Sequence, residues 1–114
     1  VRSTEDPELI ARLKQEDIHL EVCPTSNIQT NVFESISDHN VNTIFDAGIS
    51  MSINTDGRTI SYVTLGREYQ TLVNLFDWDR QKLLKTNLEA IAHAFTRQEV
   101  KVALRDKIMK AYAN

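Results

Sequence analysis

A lone cysteine, Cys23, is the only thiol in this sequence. An internal disulfide and any cysteine-rich zinc site are therefore excluded. One unpaired thiol fits a reducing compartment, so a cytoplasmic location is expected. No apolar run approaches the ~20 residues that a membrane helix needs, which leaves no membrane partner to expect. Nor is there a basic excess: 13 Lys and Arg stand against 16 Asp and Glu, a net charge of −3. Nucleic-acid binders usually cluster the opposite sign, so no nucleic-acid partner is expected. Repeats and low-complexity stretches are absent. The first six residues, Val1 to Asp6, have no signal-peptide pattern. They also lack an initiator Met, from which we expect that the chain begins inside its gene. What remains is ordinary globular material, 41% hydrophobic and 25% charged over 114 residues. That is one domain's worth, or a piece of a larger domain.

The periodicity reads as an α/β chain. Asp6 before Pro7 is an N-cap with proline at the first helical position, and Leu9, Ile10 and Leu13 give that helix an apolar face. Ile18, Leu20 and Val22 alternate at strand period over residues 18–23, and Pro24-Thr25-Ser26-Asn27 stops the strand as a turn. A helix is expected from Ser37 or Asp38, burying Val41, Ile44 and Phe45, with Gly48 as its C-terminal cap. A second strand over 49–54 runs into Thr55-Asp56-Gly57, a turn signal. A helix between two strands is the crossover that parallel pairing requires. The half from 64 to 112 reads as helical. Leu65, Tyr69, Leu72, Val73 and Phe76 mark one helix. Asp77 is placed to cap the next, with Leu84, Leu88, Ile91 and Phe95 on its apolar side. Thr96 to Glu99 is a capping-box pattern for a last helix carrying Val100, Leu104 and Ile108.

Two polar clusters directly follow the strands: Cys23-Pro24-Thr25-Ser26-Asn27 and Asn54-Thr55-Asp56-Gly57-Arg58. In parallel α/β proteins ligands bind at the carboxyl ends of strands. Taken alone, Asp56 before a glycine reads first as a turn former. Cys23 reads as an inert buried thiol, because the nearest histidine in sequence, His19, is about 13 Å back along the strand. His19, His39 and His93 fall into no ligand spacing and read as hydrogen-bonded or surface histidines.

Leu20-Glu21-Val22-Cys23-Pro24-Thr25-Ser26-Asn27, with Thr30 three residues on, resembles the seventh-strand segment of the adenosine deaminase family. Ser52-Ile53-Asn54-Thr55-Asp56 is similar to its eighth-strand segment, and His39 lies between them as in the family, although Asn40 stands where proline is usual. Leu65, Glu68, Tyr69, Asn87, Ala90 and Phe95 support the likeness, with Ala94 where serine is common. The resemblance covers nearly the whole chain. It implies that residues 1–114 are the C-terminal portion of a TIM-type (β/α)8 barrel, two parallel strands plus several helices. It implies hydrolytic deamination of adenosine, or a related aminopurine, to inosine and ammonia by the full-length parent. Zinc in that family is held by histidines of early and middle strands and by an aspartate of the last; a glutamate protonates the purine ring, and a sixth-strand histidine orients the attacking hydroxide. The match carries the metal-ligand and catalytic aspartate onto Asp56. A second aspartate that contacts N7 of the purine in many members falls on Gly57, so either Arg58, a water or Gly57's own backbone takes over recognition there, or the substrate differs. The family's His-x-His pair is missing from this sequence, and Val1 resembles a point just after its sixth-strand histidine. The implied partners are a purine nucleoside and, along the open strand edges, either the remainder of the barrel or another copy of the chain. Outside a closed barrel, the apolar face of Ile18, Leu20, Val22, Ile49, Met51 and Ile53 is expected to lose its cover. The alternative is that the isolated chain is a non-catalytic structural or interaction fragment.

Overall fold

The computed structural model describes residues 2–113. After a short 3-10 turn at Arg2–Glu5 come α1 (Pro7–Gln15), β1 (Leu20–Val22), α2 (Pro24–Gln29), a second 3-10 turn (Ile36–Asp38), α3 (Val41–Asp46) and β2 (Met51–Ile53). The chain then turns helical: α4 (Arg58–Ser61), α5 (Leu65–Phe76), α6 (Arg80–His93) and α7 (Gln98–Ala113). β1 and β2 pair in parallel with Leu20 opposite Met51 and Val22 opposite Ile53, as the intervening helix requires. Both strands are shorter than their alternating segments. The ladder is bounded by the bonds Leu20 N–H to Ser50 O and Asn54 N–H to Val22 O, each 2.9 Å. Only residues facing a partner strand can join it.

Local signals explain most helix starts. Asp6 Oδ1 accepts from the N–H groups of Glu8 and Leu9 at 2.9 and 3.2 Å, with Pro7 at the first helical position. Leu13 is buried and Leu9 remains exposed. Pro24 ends β1 as expected, but the next element is the helix α2 rather than a turn. Proline's fixed φ favours a first helical residue as much as it breaks a ladder. α3 starts at Val41, a few residues later than the sequence suggests. Gly48 comes after its C-terminus with φ +73, a left-handed conformation that glycine adopts without penalty.

Asp77 does not cap α6. It ends α5 in the left-handed region, φ +54, while Asp79 caps α6 by accepting from Lys82 N–H at 2.8 Å. Between them, Trp78 turns inward to 2% exposure and donates its indole N–H to Asn42 Oδ1 at 2.6 Å. Burying that ring fixes which of the two aspartates serves which helix. Thr96 makes no capping box: α7 begins at Gln98, and the Arg97 carbonyl accepts from Val100 and Lys101. α6 ends at His93, so Phe95 lies in the connection, fully exposed. Val100 and Leu104 are exposed as well.

The core is a single cluster. Val22, Ile49, Met51 and Ile53 pack with Val41 and Ile44 of α3, Leu72 and Phe76 of α5, and Leu83 of α6. The apolar strand face expected to lose its cover is therefore covered by this chain's own helices. Of its six residues only Ile18 is exposed, at 39%. The opposite face carries His19, Ser50, Ser52 and Asn54, because side chains alternate along a strand.

Candidate active site

Parallel pairing in register brings the two polar clusters to one edge of the sheet. Ser26, buried in the first turn of α2, donates its hydroxyl to Asp56 Oδ2 at 2.8 Å, thirty residues away in sequence. Asp56 Oδ1 has no hydrogen-bond partner among the described residues, and the side chain is exposed. The turn beyond β2 takes its left-handed residue from Asp56, φ +55, rather than from the glycine after it. Aspartate tolerates this conformation better than most residues. Gly57 has φ −72, and a Cβ built there meets Ile60 at ordinary contact distances of 3.7 to 3.9 Å. Nothing in the backbone demands glycine at this position.

The polar strand face is a connected network. His19 Nδ1 lies 2.8 Å from Ser50 Oγ and Nε2 lies 2.9 Å from Ser52 Oγ. Asn54 Nδ2 donates to Ser52 Oγ, and Ser50 Oγ donates to Glu89 Oε2 at 2.7 Å. One arrangement satisfies all of these: neutral His19 protonated on Nδ1 and accepting at Nε2 from the Ser52 hydroxyl. Burial, and the neighbouring His93, hold its pKa below the usual range. The two rings stack with centroids 4.6 Å apart. His93 is pushed up instead, chiefly by its hydrogen bond to the Glu89 carbonyl, and Nε2 lies 3.3 Å from Asp17 Oδ2.

His39 is separate. It is 3% exposed, bonds Asn27 Oδ1 through Nε2 at 2.9 Å, and leaves Nδ1 buried without a partner. Burial lowers its pKa from 6.5 to about 4. Below pH 6.5 the unfolded chain takes up a proton that the folded chain refuses, so this residue costs stability as pH falls from 6.5 towards 4. The expected loss at pH 4 relative to pH 7 is about 3 kcal/mol. Urea unfolding at the two pH values should show it, and His39→Gln should remove that part of the acid sensitivity. An equal loss in the variant would assign the effect to other groups.

Burial and the Asp56 carboxylate push the Cys23 thiol up, away from a reactive thiolate. A cavity of about 440 Å³ is lined by Thr25, Ile28, Ser61, Val63, Arg67 and Thr71, among others, and includes neither Asp56 nor Gly57. Among the described residues no three His, Cys, Asp or Glu side chains are grouped to hold a metal ion. The strand ends supply a single carboxylate, one oxygen held by a hydroxyl and the other open. That suits one oxygen ligand of a zinc ion, oriented by an outer hydrogen bond.

Residues 1–111 match the sequence profile of the adenosine deaminase family. The chain belongs to that family. It is 35% identical over 106 residues to an adenosine deaminase of Enterococcus faecalis, covering 93% of this chain and 32% of the relative. An adenine deaminase from Arthrobacter aurescens, 21% identical, superposes with a TM-score of 0.95 over 100% of this chain and 35% of its own, which establishes the barrel fold of this segment. An arabidopsis ADAL complexed with IMP is 27% identical with a TM-score of 0.84, over 95% of this chain and 32% of its own. The chain thus spans about a third of the deaminase relatives it matches.

Of two further side chains at the site, only one carries a mark in the sequence. Ser26 reads as a turn residue, and no local pattern links it to Asp56. Glu68 is fully buried and bonds the strand-end segment. A signal for Glu68 exists, since it is in phase with Leu72 and Phe76 at four-residue spacing, where an apolar residue is normal.

Proposed function

We infer that this chain is the C-terminal portion of a zinc-dependent deaminase barrel that hydrolyses adenosine, or a related 6-aminopurine, to inosine, or the corresponding 6-oxopurine, and ammonia. The observation that carries the reading is Asp56: an exposed carboxylate at the end of β2, fixed through one oxygen by Ser26, in a chain of this family. Asp56 is the zinc ligand of this segment, and histidines of the remaining barrel complete the set. Zinc, when bound, supplies the acidity that makes water nucleophilic near neutral pH. Asp56 would accept a hydrogen bond from the attacking water and turn its lone pair towards C6 of the purine. Attack forms the C6–O bond; one of the water's protons ends on the ring nitrogen N1, the other passes to the amino group, and the C6–N bond breaks as ammonia leaves. Gly57 brings bare backbone to the purine. Closure of the barrel pairs the outer edges of β1 and β2, which among the described residues pair only with each other. A single unpaired thiol, Cys23, supports a cytoplasmic location for the enzyme.

The test is ammonia release by the zinc-loaded full-length protein, offered adenosine, adenine and AMP in turn. Turnover of at least one supports the reading, and turnover of none contradicts it. Gly57 offers a second check. The backbone accommodates a side chain there, so Gly57→Asp should fold normally and set a carboxyl group beside the purine. A hydrogen bond donated by the protonated carboxyl to N7 of the purine favours a KM for adenosine lower by about tenfold. An unchanged KM would show that the purine does not lie over residue 57.

A further inference from the structure

Glu68 lies inside the protein with 0% exposure, on the side of α5 that also buries Leu72 and Phe76. Oε1 accepts from Thr25 N–H at 3.1 Å, the Thr25 hydroxyl also hydrogen-bonds the carboxyl, and Oε2 has no partner of its own. Burial accordingly pushes the carboxyl's pKa up. A half-satisfied carboxyl in a core is unfavourable, and an apolar side chain of the same size would suit packing better.

The bonds it makes, both from Thr25, fall at a particular place. Thr25 is the second residue of α2, where N–H groups have no acceptor within the helix. The N-cap residue, Cys23, provides no side-chain cap. Glu68 supplies the missing acceptor from forty-three residues away. The residue next to Thr25 is Ser26, whose hydroxyl holds Asp56 Oδ2. Asp56 itself sits on an exposed left-handed turn, and among the described residues the one hydrogen bond its side chain receives from another side chain comes from Ser26. Three links therefore run in series: α5 fixes the first turn of α2, that turn fixes Ser26, and Ser26 fixes the carboxylate.

We propose that Glu68 is a positioning residue for the Asp56 carboxylate, acting through the Thr25 backbone and the Ser26 hydroxyl. The proposal rests on Asp56 being the zinc ligand and adds a residue that touches neither metal nor substrate. Glu68→Met removes the acceptor while keeping length and burial. Groups that orient a ligand typically govern zinc affinity by about 10- to 100-fold, and a loss in that range is expected. Glu68→Gln keeps an oxygen acceptor and should stay within about threefold of the parent. Because the links are serial, Glu68→Met in a Ser26→Ala background should cost no more than Ser26→Ala alone.

The experiment is zinc affinity of the full-length protein by competition with a chromophoric chelator, with circular dichroism to check folding. It uses Glu68→Met, Glu68→Gln, Ser26→Ala, the Glu68→Met/Ser26→Ala double variant and Asp56→Ala. Loss in Glu68→Met, rescue in Glu68→Gln and no further loss in the double variant support the proposal. Parent-like zinc affinity in Glu68→Met, whatever its melting temperature, overturns it, as do losses that multiply in the double variant. Should Glu68→Met fail to fold, Glu68→Asp, one carbon too short to reach Thr25, carries the same expectation. Asp56→Ala separates the two readings. If it keeps zinc, the ligand reading falls and this proposal with it. If it loses zinc while Glu68→Met does not, only the role of Glu68 falls.

Discussion

Asp56→Ala in the full-length protein should lower deaminase turnover on the order of a thousandfold or more. The size reflects two losses at one carboxylate. On the proposed reading the zinc ion would lose its oxygen ligand from the end of β2, and the water would lose the acceptor that aims it at the purine. The fold should persist with a modest loss of stability. The side chain is exposed, but alanine at a positive φ and a buried Ser26 hydroxyl left without its acceptor each cost about 1 kcal/mol. Melting temperature should fall by several degrees while the variant stays folded. Steady-state ammonia release, read beside a thermal melt, checks both halves. Turnover within tenfold of the parent in a normally folded variant would remove Asp56 from the chemistry.

The second large effect concerns this chain by itself. Ammonia release from adenosine by the 114-residue chain should be indistinguishable from buffer, even with zinc added. Tight structural and catalytic zinc sites use three or four protein ligands, and the described residues bring one carboxylate to the strand ends, with no metal-holding group of three. The full rate enhancement, typically 10⁶-fold or more for an enzyme, is then lost. The three histidines do not compensate. His19 and His93 stack on each other in the serine and glutamate network, and His39 is engaged with Asn27. Saturable zinc binding at micromolar concentration, or conversion of adenosine, by the purified chain would show a second ligand set that these contacts do not provide.

Much of this arrangement is legible in the residues. The alternation of Ile18, Leu20 and Val22, and of Ile49, Met51 and Ile53, locates both strands, and the helix between them implies parallel pairing. Asp6-Pro7 and Gly48 mark a helix start and a helix end through local backbone preference alone. Distant contacts decide the rest. Trp78 determines which aspartate caps α6 by burying its ring against Asn42, and no local rule weighs that. The Thr96 capping pattern is locally sound, yet the chain turns one residue later because α7 begins at Gln98. Helical spacing predicts that α7 buries Val100 and Leu104, but it packs on α6 in a way that leaves both exposed. The strands read long in the sequence because alternation persists where no partner strand faces it.

The site divides the same way. Asp56 stands out through motif likeness, but its left-handed backbone and its bond to Ser26 depend on register between β1 and β2. Asp56 before a glycine reads first as a turn former, and it does carry the turn's positive φ, while Gly57 has φ −72. Glu68 is marked in the sequence by its phase with Leu72 and Phe76 and as part of a helix resemblance, neither of which gives it a role. Its carboxyl acquires meaning from Thr25, which approaches it only once α5 has packed behind the strands.

Zinc-edge anomalous diffraction from crystals of the zinc-loaded full-length protein would locate the metal itself. The expected result is an anomalous peak at the carboxyl ends of the strands, with an Asp56 carboxylate oxygen about 2.0–2.2 Å away and Ser26 still bonded to the other oxygen. A zinc peak elsewhere, or an Asp56 carboxylate bound to Ser26 alone with the metal held by other residues, would contradict the assignment of Asp56 as the zinc ligand.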